Sequence, residues 1–381
     1  MTTAFVGADI FDGETRRSGL ALVVEGERVA ALLPEAELGP DMGVERLDGG
    51  LLAPGFVDIQ VNGGGGVLFN DAPSVEGIRA ITAAHARFGS TALLPTVITD
   101  RPAVTFAAIR AAEEALAQEV PGCLGIHVEG PFLSVARKGA HDPALIRRME
   151  AADLQALCET RVRPLLLTVA PESVSDEQIA ALAAAGIRVS LGHTDTSCER
   201  AAAAFAAGAS CVTHLFNAMS QLGNREPGLV GAALDSPDVW CGFIPDGHHV
   251  HPAALGAALR AKRGSCRMIA VTDAMPTVGS DADVFELNGR TARRENGRLT
   301  LADGTLAGSD LSMIGALRYL AGPLGLPLEE ALRLCSTHAA AFLGLSATNG
   351  RLGAGSRADM VWLDAALDLK GVWIGGERVR Q

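Results

Sequence analysis

The amino-acid sequence predicts an α/β fold, namely a (β/α)8 TIM-like barrel with a small β-sandwich domain formed by the N- and C-terminal segments. Three observations lead to this prediction. Eight apolar, strand-like runs recur along the middle of the chain, helical stretches alternate with most of them, and short β-type runs stand at both ends. Eight βα repeats over about 300 residues are typical of a barrel. A doubly wound open sheet is the alternative, and the repeat count favours the barrel.

The composition excludes several classes of protein. The chain has 381 residues, of which 48% are hydrophobic and 20% charged, so a large core is expected and disorder is not. Its formal net charge of −12 argues against a surface that binds nucleic acid or an anionic membrane. The first residues lack a basic segment followed by an apolar one, and no apolar run reaches about 18 residues.

The cysteines indicate a reducing compartment. None of them has a CxxC spacing and their number is odd, so we interpret them as buried free thiols and expect a cytoplasmic protein. They are Cys123, Cys158, Cys198, Cys211, Cys241, Cys266 and Cys335.

The two ends of the chain have the same β-rich pattern. Residues 1–53 contain ALVVEGERVAALLP and the turn FDGET, and residues 350–381 contain ADMVWLDAAL and the Gly-Gly hairpin signal of GVWIGGERVR. We therefore expect residues 1–53 and 350–381 to form one small β domain, and residues 54–349 to form the catalytic barrel.

The barrel elements follow from the alternation of apolar runs and helical periods. Strands are predicted at LLAPGFVDIQV, TALLPTVIT, CLGIHVEG, RPLLLTVAP, RVSLGHT, CVTHLFN, WCGFIPDG and RMIAVTDA. Helices are predicted at VEGIRAITAAHARFG, AVTFAAIRAAEEALAQEV, DPALIRRMEAADLQALCET, DEQIAALAAAG, CERAAAAFAAG, HPAALGAALRAKRG, LSMIGALRYLAG and LEEALRLCSTHAAAFLG. The segments SDEQ and TSCER supply helix-start signals, and a glycine closes both helices that they begin.

Polar residues appear where the apolar strands end, and in a barrel these ends form the functional rim. They are Gln60, Asn62, Glu129, His193, His214, Asp246, His249 and Asp273. Any one of them alone is more simply a hydrogen-bonded residue at the mouth of a loop, but this does not account for their joint placement. Glu129, His193 and His214 match the carboxylate and two imidazoles of a catalytic zinc site with an open position for water.

Asp273 has three possible roles from its position alone. It could bind the metal, take a proton from the metal-bound water, or cap the loop that follows it.

Gln60 and Asn62 are two residues apart, so their side chains point the same way along a strand. Many metal hydrolases have two histidines at this spacing.

Seven motifs in a fixed order carry a family resemblance. They are HVEGPF, LGHTDT, THLFNAM, NREPG, DGHHV, VTDAM and GTLAGS. From PGFVDIQVNG almost to the C-terminus the chain resembles the N-acetylglucosamine-6-phosphate deacetylases of the amidohydrolase superfamily. The resemblance implies hydrolysis of N-acetylglucosamine 6-phosphate to glucosamine 6-phosphate and acetate, in amino-sugar catabolism and recycling.

The resemblance also implies the roles of the site residues. One divalent metal per subunit, zinc first with iron or cobalt as alternatives, would be bound by Glu129, His193 and His214, and Asp273 would act as general base and then acid. Contacts with the substrate are implied for Ala140, His141, Asn217, Ala218, Arg225, His249, Leu306, Ala307 and Gly308.

Gln60 and Asn62 stand where amidohydrolases with two metals have a His-x-His pair. Neutral amides are poor ligands for zinc-like cations, so we expect one metal only. The amides would instead fill the space of the second metal with hydrogen bonds to a water or to the Asp273 carboxylate.

Arg225 is implied to reach the site of the neighbouring subunit, which predicts a homodimer. The expected partner is a small phosphosugar substrate, and neither nucleic acid nor a membrane is expected to bind.

The two adjacent histidines of DGHHV leave open which of them contacts the substrate. We assign the contact to His249 rather than His248. His127, two residues before Glu129, could orient a ligand. His85, His251, His338 and the GGGG run receive no role in the site.

Two rival functions remain. One is another amidohydrolase that acts on a different N-acyl group or a cyclic amide, and the other is a metal-free scaffold relative. Cyclic-amide hydrolases often carry a carbamylated lysine on the fourth barrel strand. The fourth predicted strand here, RPLLLTVAP, has no lysine, which disfavours them. The full set of rim residues disfavours the scaffold.

Overall fold

The computed structural model describes residues 2–39, 42–265 and 267–380. The N-terminal segment forms seven short strands that belong to two sheets. They are β1 (Thr2–Val6), β2 (Asp9–Phe11), β3 (Arg16–Arg17), β4 (Leu20–Glu25), β5 (Arg28–Pro34), β6 (Gly43–Arg46) and β7 (Leu51–Pro54). One sheet has the order β5-β4-β1-β6, and β2, β3 and β7 belong to the other.

The middle of the chain forms the barrel strands and one short hairpin. They are β8 (Phe56–Val61), the hairpin β9 (Gly63–Gly64) and β10 (Val67–Leu68), β11 (Ser90–Ile98), β12 (Ile126–Glu129), β13 (Leu165–Val169), β14 (Arg188–Leu191), β15 (Ala209–Val212), β16 (Trp240–Phe243) and β17 (Met268–Ala270). Strand β8 and strands β11 to β17 pair in chain order into one parallel, eight-stranded sheet.

The sheet closes where its last strand meets its first. Val61 and Ala274 form a parallel bridge, and the backbone N–H of Asp273 donates to the Gln60 carbonyl at 2.9 Å. The eight strands overlap the eight predicted runs, so the predicted (β/α)8 barrel is confirmed and the open sheet is excluded.

Seven helices connect the barrel strands. They are α1 (Val75–Ala86), α2 (Pro102–Ala117), α3 (Ala151–Glu159), α4 (Asp176–Ala184), α5 (Cys198–Ala207), α6 (Gly228–Asp235) and α7 (Pro252–Ala261). The predicted start signals are confirmed: Ser175 forms a capping box with Gln178, and Ser197 caps α5.

Two helices differ from the prediction. The helix predicted from Asp142 begins only at Ala151, because Glu150 and Asp153 form a capping box that fixes the first turn there. Helix α6 was not predicted. Its residues from Gly228 to Leu234 are all buried, so it has no polar face and no amphipathic period to recognise.

An unpredicted antiparallel sheet follows the last barrel strand. It consists of β18 (Val284–Leu287), β19 (Arg290–Glu295), β20 (Arg298–Thr300) and β21 (Leu306–Ser309). Leu287, Leu299 and Ala307 on this sheet pack with Leu68 and Met275 near the barrel rim. The signal was missed because a strand such as RTARRE is short and charged, with only one buried residue.

The remaining elements complete both the helical layer and the terminal domain. They are α8 (Met313–Ala321), α9 (Leu328–Cys335), α10 (Thr337–Leu343), β22 (Met360–Leu363), β23 (Leu369–Ile374) and β24 (Glu377–Arg378). Helices α9 and α10 were predicted as one. They separate at Ser336, whose backbone is not helical and whose hydroxyl donates to the Leu332 carbonyl.

Both ends of the chain share a six-stranded sheet, in the order β24-β23-β22-β7-β2-β3. A hydrophobic cluster joins it to the four-stranded sheet, with Phe5 and Leu22 on one side and Leu52, Met360 and Trp373 on the other. The rings of Phe5 and Trp373 meet edge to face at 5.3 Å.

Two further sequence expectations concern the whole chain. Within the described residues, no helix has both the length and the apolar character required to cross a membrane. The six cysteines that the structure describes form no disulfide with one another, and Cys158 and Cys198 are only partly buried. Cys266 lies outside the described residues.

Candidate active site

Three side chains converge at the carboxyl ends of three barrel strands. Glu129 ends β12, and His193 and His214 each lie two residues beyond β14 and β15. Oε1 of Glu129 is 3.2 Å from Nε2 of His193 and 3.1 Å from Nε2 of His214, and the two Nε2 atoms are 3.1 Å apart. All three residues are buried. They meet because parallel barrel strands end at the same rim.

This cluster fits a single divalent metal. Ligand atoms about 2.0 to 2.2 Å from a tetrahedral ion lie roughly 3.4 Å from one another, which is close to the separations seen here. Nδ1 of His193 lies 2.9 Å from the Arg137 carbonyl and donates to it, so Nε2 is the ring nitrogen left to bind a metal. Across the part of the chain that the structure describes, this is the one group of three or more such side chains that could hold a metal ion.

The charge of Glu129 suits a ligand. Burial acts to raise the pKa of its carboxyl, but the hydrogen bonds and charges of His193 and His214 outweigh burial and hold that pKa well below its usual range. The side chain is therefore an anionic acceptor, the form that binds a metal.

Asp273 lies beside this cluster with its carboxylate held by two amides. Its Oδ1 accepts from Nδ2 of Asn62 at 2.7 Å and from Nε2 of Gln60 at 3.1 Å. The same Gln60 nitrogen lies 3.2 and 3.3 Å from the two oxygens of Glu129. Burial and the charge of Glu129 raise the pKa of Asp273 to about 6. Gln60 thus bridges the two carboxylates, and Asn62 donates to Asp273.

The backbone of three site residues is unusual. His193, His214 and Asp273 have φ values of 49°, 32° and 54°, in the left-handed region that non-glycine residues seldom adopt. Such conformations persist where the surrounding structure holds them, and they cluster at functional sites. Here each lies two or three residues beyond the end of a barrel strand.

A cavity of about 480 Å³ opens onto the cluster. Twelve of the predicted site residues line it, and they are Asn62, Glu129, Ala140, His141, His193, His214, Asn217, Ala218, His249, Asp273, Leu306 and Gly308. Gln60 lies behind Asn62 and touches both carboxylates without lining the cavity. Ala307 lies between two lining residues, but its side chain is buried in the core under the inserted sheet.

His141 and His249 both line the cavity in fixed orientations. Nδ1 of His141 lies 2.8 Å from the Thr99 hydroxyl, and its ring centre is 4.3 Å from that of His193. Burial and the neighbouring His193 hold the pKa of His141 well below its usual range, so its ring is neutral. Nδ1 of His249 donates to Asp246 at 2.6 Å. His248 is exposed.

Arg225 is the predicted site residue that the structure does not bring to this cavity. It is exposed in the loop between β15 and α6. The other histidines have separate partners. His127 contacts the hydroxyls of Thr96 and Thr168, His85 the Gly63 carbonyl, and His338 the Met268 carbonyl.

Two cationic residues of the cavity were missed. Arg137 and Lys138 lie in and directly after a 3-10 turn (Val135–Arg137) that follows β12, and both line the cavity. A signal existed, because Lys138 is one of only three lysines in the sequence and stands three residues before His141. Thr305 was also missed, since the sheet that carries it was not predicted.

Comparisons with known proteins find similarity along most of the chain. The profile of the amidohydrolase family matches residues 51–379. An N-acetylgalactosamine-6-phosphate deacetylase of Shewanella sp. (strain ANA-3) is 45% identical over 346 residues, which cover 91% of this chain and 87% of that protein. The N-acetylglucosamine-6-phosphate deacetylase of Haemophilus influenzae is 33% identical over 360 residues, 94% of each chain. The crystal structure of N-acetylglucosamine-6-phosphate deacetylase from Pasteurella multocida superposes over the full length of both chains, with a TM-score of 0.96 and 33% identity.

Proposed function

Because this chain belongs to the amidohydrolase family, we propose that it is a metal-dependent hydrolase of N-acetylglucosamine 6-phosphate, which it converts to glucosamine 6-phosphate and acetate. One observation carries the proposal. A buried carboxylate and two imidazoles converge within 3.2 Å of one another, beside the separate carboxylate of Asp273. The full-length similarity to deacetylases of N-acetylated sugar phosphates supports the substrate class. It disfavours both a cyclic-amide hydrolase and a metal-free scaffold.

Glu129, His193 and His214 would hold the metal. Zinc is the first candidate, with iron and cobalt as alternatives, because a carboxylate with two imidazoles suits all three. When bound, the metal would polarise the acetyl carbonyl and lower the pKa of water towards ~7.

Asp273 would move the proton that the reaction requires. Its Oδ1 is engaged by Gln60 and Asn62, so Oδ2 is the oxygen left to take a proton from the attacking water. The same oxygen would then give the proton to the amine nitrogen as the C–N bond breaks. A pKa raised to about 6 leaves the carboxylate ionised at neutral pH and more basic than a free carboxylate.

The remaining cavity residues would bind the sugar phosphate. We assign His141 and Ala140 to the acetyl group or the sugar, and His249, Asn217 and Ala218 to the phosphate. Leu306, Ala307 and Gly308 would cover the substrate from the inserted sheet, with Ala307 acting through its backbone because its side chain is buried.

The test is acetate release by the metal-loaded protein from N-acetylglucosamine 6-phosphate, with the unphosphorylated sugar alongside. We expect turnover of the phosphorylated sugar, and at least a thousandfold loss in Asp273→Asn, because the proton acceptor is removed. Asp235→Asn is the matched control, since Asp235 is exposed and pairs with Arg263 at the surface. No turnover by the metal-loaded wild type would refute the proposal. An active Asp273→Asn would refute the role of Asp273.

N-acetylgalactosamine 6-phosphate is a second candidate substrate. The 45% identical relative carries that name, and the two sugars differ only in the configuration of one ring hydroxyl. The ratio of kcat/KM for the two sugar phosphates, measured on the same preparation, decides between them.

We also propose a homodimer in which Arg225 of one subunit reaches the cavity of the other. The exposed position of Arg225 outside the cavity of its own subunit supports this.

The proposed division into a β domain (1–53 and 350–381) and a barrel (54–349) is supported by the sheet that the two ends share. Residues 1, 40, 41, 266 and 381 of that division lie outside the described residues. A cytoplasmic location rests on the cysteine pattern of the sequence.

A further inference from the structure

His249 is held in the cavity wall by Asp246, a residue of the same turn after β16. Oδ2 of Asp246 accepts the Nδ1–H of His249 at 2.6 Å. Oδ1 accepts the backbone N–H groups of His248 and His249 at 2.8 and 2.9 Å. Only 7% of the Asp246 side chain and 6% of the His249 side chain are exposed. Both carboxylate oxygens therefore fix the position of one ring.

The turn that carries this pair is tightly built. Gly247 has a φ of +76°, and a Cβ at this position would lie 2.9 Å from the ring of Tyr319 on α8. A side-chain oxygen that accepts N–H groups two and three residues further on closes such a turn. The turn consequently fixes the carboxylate of Asp246, whose Oδ2 orients the ring of His249 through Nδ1.

Asp246 is ionised in this position. Burial acts to raise the pKa of its carboxyl, but the hydrogen bond and charge of His249, with the two backbone N–H groups, hold that pKa below its usual range. Two other titratable groups face the pair. Burial and the charge of Asp246 raise the pKa of Tyr319, so its hydroxyl stays neutral, and Asp273 interacts electrostatically with His249.

The bond to Asp246 determines what His249 can offer to a ligand. With Nδ1 committed as a donor, Nε2 is the ring nitrogen that remains. A phosphate monoester presents only acceptor oxygens and carries close to two negative charges at neutral pH. It can bind Nε2 only when that nitrogen is also protonated, and the carboxylate of Asp246 then balances the positive ring from the other side.

We propose that Asp246 is a positioning residue that makes the cavity selective for phosphorylated sugars, because it presents Nε2 of His249 to the ligand and supplies the counter-charge for the imidazolium. This inference rests on the proposed function, since the ligand is the 6-phosphate of the proposed substrate. Asp246 itself does not touch the substrate and acts through His249.

Asp246→Asn tests the hydrogen bond between Nδ1 of His249 and Oδ2 of Asp246 with little change to the turn. The amide oxygen can still accept the two backbone N–H groups, whereas the amide nitrogen cannot accept from Nδ1. The first measurement is the Kd of the metal-loaded protein for glucose 6-phosphate, a phosphorylated sugar without an amide, by calorimetry. We expect the Kd to rise about tenfold in Asp246→Asn, and to stay unchanged in the surface control Asp235→Asn.

The separate effects of the variant on KM and on kcat give a second measurement. The KM for N-acetylglucosamine 6-phosphate should rise about tenfold with little change in kcat, and kcat/KM for the unphosphorylated sugar should stay the same. Asp246→Asn combined with His249→Gln should lose no more affinity than His249→Gln alone, because both act through one ring. Asp246→Glu keeps the charge and should bind glucose 6-phosphate more tightly than Asp246→Asn does.

Three outcomes overturn the inference. They are an unchanged Kd in Asp246→Asn, equal losses on the phosphorylated and unphosphorylated sugars, and a wild type that does not bind glucose 6-phosphate. A failed deacetylase function gives a different result, because a wild type that binds glucose 6-phosphate without releasing acetate refutes only the reaction. The Kd values for glucose 6-phosphate then still decide the role of Asp246.

Discussion

At the scale of single residues, Gln60 and Asn62 determine the character of the site. Their N–H groups converge on one oxygen of Asp273, and Gln60 also reaches Glu129. An amide nitrogen cannot bind a cation, so this geometry leaves the cluster of Glu129, His193 and His214 as the proposed metal position. Imidazoles in place of the amides would add two nitrogen ligands beside two carboxylates.

The double replacement of Gln60 and Asn62 by histidine is therefore expected to raise the bound metal from one to two ions per chain. Elemental analysis of protein purified in excess zinc measures this directly. Asn62→His alone is the control, because one added imidazole gives an incomplete second site. A stoichiometry that stays at one in the double variant would show that the amides do not occupy a second-metal position.

Asp58 is a second residue whose environment predicts a measurable effect. Its carboxyl is buried beneath the rim and bonded to the hydroxyl of Thr272 at 2.5 Å. Burial raises its pKa from 3.8 to about 7, against the opposing effect of that hydrogen bond. The folded state thus binds a proton that the unfolded state releases between about pH 4 and pH 7, so this group lowers the free energy of unfolding as the pH rises.

Asp58→Asn should remove this dependence, because an amide resembles the protonated acid and does not titrate. Relative to the wild type, the variant should gain unfolding free energy as the pH rises from 4 to 8, by at most about 4 kcal/mol. Denaturant unfolding at several pH values gives the difference. Parallel curves for the two proteins would contradict the prediction, and Asp235→Asn is expected to give such parallel curves.

At the scale of elements, the 3-10 turn after β12 contacts the proposed metal ligand His193. Its Arg137 accepts from Nδ1 of His193 through the backbone carbonyl, while the guanidinium pairs with Asp195 at 2.7 Å. The pair is largely exposed, so it contributes little to stability by itself. Its effect is to hold the carbonyl against the imidazole.

Arg137→Ala is expected to weaken metal binding about tenfold, because a freed turn no longer orients His193. Competition with a chromophoric chelator measures the affinity without any turnover. Arg263→Ala is the control, since it removes another exposed ion pair, with Asp235, at the ends of α6 and α7 that precede the next barrel strands. Equal affinities in the wild type and Arg137→Ala would assign the orientation of His193 to the barrel strands alone.

At the scale of the whole molecule, the cavity walls come from distant parts of the chain. The barrel supplies the proposed metal ligands, and the inserted sheet supplies Thr305, Leu306 and Gly308. The guanidinium of Arg290 on the same sheet donates to the Ala140 carbonyl, which joins the sheet to the loop that carries His141. Arg225 remains outside, and this is the position that the proposed dimer explains.

The dimer predicts complementation between two defective proteins. Arg225→Ala lacks the residue that would reach the neighbour, and Asp273→Asn lacks the proton acceptor of its own cavity. In a mixed dimer, one cavity has both groups. Unfolding and refolding the two variants together should therefore restore activity, up to about a quarter of the wild-type rate for random pairing. Activity no higher than that of the separately refolded variants would exclude a shared site.

The sequence alone determined the number and place of the barrel strands and most of the rim. Apolar runs and helical periods are local signals, and strand ends in a parallel barrel always meet at one edge, so Glu129, His193, His214 and Asp273 could be grouped without coordinates. Only the tertiary structure decided the separations of 3.1 and 3.2 Å and the hydrogen bonds from Gln60 and Asn62 to Asp273.

Tertiary structure also decided the cavity roles of Arg137 and Lys138, the inserted sheet and helix α6. The sheet has short, charged strands, and the helix is buried on all sides, so neither shows the periodicity that identifies an element in a sequence. The physical reason is the same in each case. Contacts between residues far apart in the chain depend on strand register and barrel closure, and no local pattern encodes them.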